Sequence, residues 1–383
     1  MDVRIEQLDG AGYDLQVPPE ACALQVKIEL DTVTGIPVEE QQLVVGSRIL
    51  ADDDLLASYA YDDWQTRRSH SCRSSAQEAV LVMQLVRVGP TAIYAVGGRD
   101  TCDMLATAER YSTIAEAWAL LKPMIEFRMN CALSAINGTL YAFGGSARWG
   151  ASASAERLAV DGGAWSPIKN MQFARSHCSA AVMDGKIFVV GGIGNEASRF
   201  AECFDVESGT WHKLPSLNQG RTACAVVVSR RKLYVLGGVA GTGIGSPLSP
   251  FDYRRASRDV IDTIECFHPA SNSWQIVASM SRGRLAFGAA HYRNQVHVLG
   301  GYSGGDALSS VERLDLPSCS SDALPDMKLS GQCSAVACHG KLHVIGGCSG
   351  ARCSHEIFDP ITQSWERAPG LTVNRAFCSL IAL

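Results

Sequence analysis

Six glycine pairs constrain this chain more than any other feature. Each closes a short apolar run: "AIYAVGG" at Gly97-Gly98, "LYAFGG" at Gly144-Gly145, "IFVVGG" at Gly191-Gly192, "LYVLGG" at Gly237-Gly238, "VHVLGG" at Gly300-Gly301 and "LHVIGG" at Gly346-Gly347. The first glycines stand 47, 47, 46, 63 and 46 residues apart. A second marker keeps step with them. Glu109 and Trp118, Glu156 and Trp165, Glu202 and Trp211, Glu265 and Trp274, and Glu356 and Trp365 are each nine residues apart. The fifth unit keeps Glu312 but has Ser321 in place of tryptophan. Self-similarity at this period is the mark of a repeat architecture. Period-2 apolar alternation marks strands that pack on at least one face. The glycines allow a sharp turn and a close backbone approach where any Cβ would clash. The tryptophan offers a large area for one unit to bury against the next. Four short strands per unit, closed by an aromatic, describe the blade of a β-propeller.

The ring has a visible means of closure. In five units a further strand begins sixteen residues before the glycine pair, at Arg128, Arg175, Arg221, Arg284 and Ser330. A sixth copy, "RAFCSLIAL" from Arg375, ends the chain with no glycine pair after it. The first unit has the opposite gap, because Leu81 stands where its arginine is expected. The C-terminal strand is therefore expected to complete the first blade, removing exposed strand edges.

Composition excludes several classes of function. The chain has 383 residues, 46% hydrophobic and 19% charged, with a net charge of −5. That balance argues against a bulk nucleic-acid binder. No apolar run is long enough for a membrane helix, and the N-terminus reads as neither signal nor transit peptide. The expected location is the cytoplasm or nucleus, where most of the fourteen cysteines would be free thiols.

The repeated pattern resembles the kelch family, whose diglycine, spaced glutamate and tryptophan are the residues quoted above. The resemblance covers roughly residues 90 to 383. It implies a mainly β protein built on a six-bladed propeller that captures a protein partner. In similar propellers, arginines at the register of Arg128, Arg175, Arg221, Arg284 and Arg375 line the partner-binding face. Converging guanidiniums would suit an acidic peptide, through paired charge-assisted hydrogen bonds. Ser330 would then interrupt the ring with a less positive sector. The competing reading is that these arginines bridge loops to acids of the same protein. Actin-binding kelch proteins supply an alternative, a cytoskeletal scaffold. A catalytic propeller is a third, for which no nucleophile motif, phosphate loop or ligand-spaced carboxylate–histidine set is found.

Residues 1–88 belong to no repeat. "VRIEQL" and "YDLQV" flank "DGAG", a hairpin signal. A helical pattern with Ala23, Val26, Ile28 and Leu30 follows, stopped by Gly35-Ile36-Pro37. The strand "QLVV", a short "LLASYA" segment and the strand at Ala79 to Val88 complete the order of a β-grasp. "QVKIEL", "GIP", "QQL" and Tyr59 resemble ubiquitin, without a gap from Met1 to about Tyr61, and a basic, Ser-rich insertion spans about 64–77. Ubiquitin's free C-terminal diglycine is missing, since "RVGP" runs straight into the propeller, so conjugation is not expected. The positions of ubiquitin's apolar patch fall on Leu8, Val44 and Gln84, two of them apolar. Leu8 and Val44 could dock a ubiquitin receptor, the proteasome or a ligase component; the alternative is a spacer domain. Familiar kelch substrate receptors carry a BTB domain, whereas the residues before these repeats carry the ubiquitin-like pattern.

The remaining features are less specific. Cys131, Cys178, Cys224, Cys333 and Cys378, with Phe287, recur three residues into the inner strands. Equal positions in separate blades suit a small apolar residue near a crowded axis better than a metal site. Cys348, Cys353 and His355 lack zinc-ligand spacing, and no cofactor is expected. The long fourth spacing reflects an insertion, about 241–257, ending in "RRAS" at Ser257, which resembles a basophilic kinase site.

Overall fold

A computed structural model describes residues 2–7, 12–18, 20–34, 41–45, 48–50, 54–56, 81–87, 91–147, 150–194, 197–240, 259–316, 318, 320–346 and 353–383. Leu8, Ser257, Cys348 and both insertions lie outside these residues. The chain divides into two compact units, Met1–Gly89 and Pro90–Leu383.

In the first unit, Asp2–Gln7 and Gly12–Gln16 form an antiparallel hairpin. The helix Ala23–Thr34 follows and buries Ala23, Val26 and Leu30, which share one face at three- and four-residue spacing. The strand Leu81–Arg87 then runs parallel to Asp2–Gln7 at the centre of a five-stranded sheet. Gln41–Val45 and Arg48–Ile49 complete it on the other side. The strand before the repeats thus belongs upstream. Its core (Val3, Ile5, Val17, Val26, Leu30, Leu43, Leu50, Leu56 and Met83) is drawn only from this unit.

Among the described residues the second unit holds six four-stranded antiparallel sheets, with three two-stranded ribbons beside them. Blades two to six are contiguous in sequence. In blade one, Ser379–Ala382 pairs with Ala92–Val96, in the register Ser379↔Val96 to Ala382↔Ile93. The last strand of the chain is therefore the innermost strand of the first blade, as the repeat register requires.

The sequence markers become packing devices. In blades one to five both glycines have positive φ, 55–67° for the first and 86–105° for the second. A Cβ on the first would stand 2.3–2.9 Å from a carbonyl of the following blade, so only glycine fits. The second donates its N–H to that same carbonyl, for example Gly98 to Arg128 at 2.8 Å and Gly145 to Arg175 at 2.9 Å. Each glycine pair is thus a clasp between neighbouring blades. The tryptophans make another. The indoles of Trp118, Trp165, Trp211, Trp274 and Trp365 donate to Pro369, Lys122, Lys169, Pro215 and Pro325 carbonyls, each beyond the outer strand of the preceding blade.

Candidate functional site

The end of the propeller that carries the glycine pairs also carries the loops leading into the inner strands. Those loops position the five arginines. Each guanidinium reaches back across its own blade. Arg128, Arg175, Arg221, Arg284 and Arg375 pair with Glu156, Glu202, Glu265, Glu312 and Glu109 at 2.6–3.3 Å. Nη1 of each also donates to the first glycine's carbonyl at 2.7–3.0 Å. It reaches the carbonyl two residues before the glutamate as well, again at 2.7–3.0 Å. The glutamates in turn accept loop N–H groups, such as Ile125 on Glu156 and Gln172 on Glu202, both at 2.7 Å.

The five arginines are at most 2% exposed. The structure therefore corrects the expectation that they line a partner-binding face. Apart from the buried Nε of Arg175, which has no hydrogen-bond partner, the donors that bind glutamate and carbonyls are spent inside the blade, and at this burial an acidic peptide has no route to them. A buried pair tolerates loss of one partner badly, because the other charge is then left uncompensated. The arginine register builds the fold.

Ser330 needs a different correction. Blade six passes from Met327 to Cys333 in six steps, where Met124 to Cys131 and Met171 to Cys178 take seven. Ser330 is exposed. Gly331 takes the arginine's backbone place instead, its carbonyl accepting Gly301 N–H at 2.8 Å. The sequence register counted back from the glycine pair could not reveal this; counting forward from Met327 would have done so.

The recurring cysteines are structural. The Cβ atoms of Cys131, Cys178, Cys224 and Cys378 lie 3.0–3.1 Å from where a Cβ on the adjacent second glycine would be, so this side chain packs directly over the glycine, as Phe287 does in blade five. Burial pushes the Cys178 and Cys333 thiols up to about 12 and those of Cys224 and Cys378 up to about 11. Cys131 is raised for the same reason. Thiols held protonated in this way are poor nucleophiles and poor ligands. Cys353 is engaged in a disulfide. His355 is fully buried, with its Nε2 3.0 Å from His343 Nδ1. Among the described residues no group of three or more His, Cys, Asp or Glu is placed to hold a metal ion.

Among the side chains that the glycine-pair end exposes are large apolar ones. Ile125 and Phe127, beside Arg128 in the loop entering blade two, are 59% and 58% exposed. At the same end of blade three, Phe173 packs on Phe200 at 4.4 Å between ring centroids, with Lys213 Nζ 4.5 Å from the Phe200 ring centre. No periodicity singles these residues out, and sequence reasoning missed them. In the N-terminal unit, Val44 is half-buried and lies opposite Ile49, which is 58% exposed. Residues directly opposite on paired strands share a face. Gln84 is the other register partner of Val44. The strand register thus adds Ile49 to the expected patch.

Five segments match the Kelch motif, at residues 128–172, 174–218, 220–281, 283–328 and 330–372. Together they cover more than half of the sequence, and the chain belongs to the kelch-repeat family. An F-box/kelch-repeat protein of Arabidopsis thaliana is 40% identical over 83 residues, 21% of this chain and 22% of its own length. Kelch-like protein 35 of Mus musculus is 35% identical over 109 residues, 27% of this chain and 19% of that protein. The ubiquitin-like domain-containing protein CIP73 of Lotus japonicus is 29% identical over 66 residues, 17% of this chain and 10% of its own. The chain thus spans between 10% and 22% of the length of these relatives. The solved structure of YjhT superposes with a TM-score of 0.53 at 17% identity, covering 66% of this chain and 86% of that one. At that identity the likeness concerns the fold alone.

Proposed function

We propose that this protein is a non-enzymatic interaction module whose propeller captures a protein partner at its glycine-pair end. The exposed pair Ile125 and Phe127 carries this reading, with the Phe173–Phe200–Lys213 cluster beside it on the next blade. Exposed aromatic and aliphatic anchors above a rigid scaffold are the usual centre of a protein interface. The N-terminal unit is a ubiquitin-like domain that docks to the ubiquitin–proteasome or quality-control machinery through the face of Val44 and Ile49, with Leu8 expected beside them. The strand order around a parallel central pair supports that reading, as do the likeness to a ubiquitin-like domain-containing protein and the F-box in the name of a kelch relative. The protein would work in the cytoplasm as an adaptor.

The test uses the full chain and two double variants. I125D/F127D should lose the captured partner while keeping the melting temperature. V44D/I49D should keep that partner and lose binding to purified proteasome or ubiquitin-ligase components. Co-sedimentation with actin filaments, together with unchanged partner capture by I125D/F127D, would overturn this reading in favour of a scaffold.

A further inference from the structure

Blade six has Gly331 at the arginine's backbone place and one residue fewer before Cys333, yet it keeps the glutamate and the third-strand residue that an arginine holds in the other blades. Glu356 occupies the register of Glu109, Glu156, Glu202, Glu265 and Glu312 and is only 5% exposed. It accepts the loop N–H of Lys328 at 3.0 Å, as its counterparts accept theirs. Each of those counterparts also receives a guanidinium. Among the described residues Glu356 receives none, because Gly331 has no side chain to send. Ser354 stands two residues before Glu356, in the place of Thr107, Ser154, Thr263 and Ser310, whose carbonyl and hydroxyl oxygens take arginine donors. A buried carboxylate usually costs stability unless it is paired.

The loss is also visible at the axis. In the other blades the residue two after the arginine has positive φ: Asn130, His177, Ala223, Ala286 and Phe377, at 52–60°. Backbone bonds step between them around the axis: Asn130 to Phe377, His177 to Asn130, Ala223 to His177 and Ala286 to Ala223, at 2.8–3.1 Å. At blade six the donor is Cys333, and its bond to Ala286 lengthens to 3.4 Å. A cleft of about 90 Å³ opens there, lined by Gln332, Cys333, Ser334, Gly346, Phe377 and Cys378 among others. It reaches Gly346, the glycine whose counterparts accept Nη1.

From these observations we propose that blade six is a guanidinium-binding site, filled by an arginine side chain of a partner protein that enters from the glycine-pair end. The same chain shows five times how a guanidinium is bound by this glutamate, this glycine carbonyl and this third-strand residue. Blade six keeps the glutamate and the third-strand serine for a side chain from outside, while Gly346, at φ 159°, is extended where its counterparts stand at 55–67°. The partner's contact residue is therefore basic, the reverse of the acidic peptide that the arginine register suggested. The proposal deepens the reading of the propeller as a partner-binding module, but the site can be tested without the partner.

The probe is agmatine, a guanidinium on a four-carbon stem, titrated into the full-length protein by calorimetry. Putrescine, which has an ammonium in place of the guanidinium, is the control. Agmatine should bind saturably, at least about tenfold more tightly than putrescine, and Glu356→Gln should weaken it by at least about tenfold. A second variant covers the case in which Glu356→Gln does not fold. Inserting one arginine between Ser330 and Gly331 restores the seven-residue spacing and supplies the guanidinium in cis. That variant should melt at a higher temperature and no longer bind agmatine. Absence of saturable agmatine binding to the wild-type chain would overturn the site, as would equal binding to the insertion variant. Neither result would touch the partner capture read by I125D/F127D, so the two ideas fail separately.

Discussion

Arg175 and Glu202 are each 0% exposed, so solvent screens nothing between them. Removing the arginine leaves a carboxylate in the blade interior with only the N–H groups of Gln172 and Phe173 as partners. Arg175→Met should therefore cost about 3–5 kcal/mol in denaturant unfolding. The double variant Arg175→Met, Glu202→Leu should recover only part of this, because the two loop N–H groups then lose their acceptor. A loss under about 1 kcal/mol together with lost partner capture would restore the binding role of the arginines. The cysteines make a second prediction at this scale. Cys102 is exposed, whereas Cys131, Cys178, Cys224, Cys333 and Cys378 are buried, and burial holds their thiols protonated. Alkylation of the native chain followed by peptide mapping should label Cys102 rapidly and these five only after unfolding. Rapid labelling of Cys178 in native protein would show that the inner strands open far more easily than their packing suggests.

The inner edge of each blade is legible in the sequence because strand alternation and glycine geometry are local. What the loops do with a charge is not. The pattern of glutamate, glycine pair and arginine gives the register of all three but not that they close on one another, since that depends on three strands folding back together. The short loop at Gly331 hid from the register because the cysteine and the glycine pair that follow it still aligned with those of the other blades. The histidines of blade six show the same limit. His343 and His355 face each other across adjacent strands, against Tyr111 and Trp118 of blade one. His355 Nδ1 faces the Pro369 carbonyl at 3.3 Å, so that nitrogen carries the proton, and Nε2 accepts from His343 Nδ1–H. Burial holds His355 down at about 4, and burial with the neighbouring His355 holds His343 at about 3, against an ordinary 6.5. Because the folded values are depressed, the unfolded chain binds the extra protons first as pH falls. The contribution of this pair is complete above about pH 6.5 and is lost progressively toward pH 4. His177, His291 and His297, each lowered to about 4 chiefly by burial, act in the same direction. The melting temperature should be level from pH 8 to 6.5 and fall steeply below, with a shallower fall in His343→Phe. A flat profile down to pH 4.5 would contradict the neutral buried pair.

At the scale of the whole molecule, the ring is fastened by contacts between residues far apart in the chain. Arg375 reaches Gly97 across 278 positions and Glu109 across 266. Loop-closure entropy grows only slowly with length, by about 0.6 kcal/mol per doubling, so joining the two ends costs little more than joining two neighbouring blades. In return, Leu380 and Cys378 pack in one cluster with Ile93 and Trp118 of blade one and with Val336 and Cys338 of blade six. That strand therefore bonds one blade and packs against another, and its loss would break the circle at both places. Removing residues 377–383 should leave Ala92–Val96 as an unpaired apolar edge of five buried residues, a template for aggregation. It also removes the Phe377 carbonyl that accepts Asn130 N–H at 3.1 Å. We expect the shortened chain to lose its cooperative melt and to aggregate on size-exclusion chromatography. Deleting residues 1–89 is the control, since the propeller core contains none of the residues that form the core of the N-terminal unit. That deletion should leave the melt of the propeller intact. A soluble, cooperatively melting product of the C-terminal truncation would mean that the five contiguous blades, and not the joined ends, hold the ring.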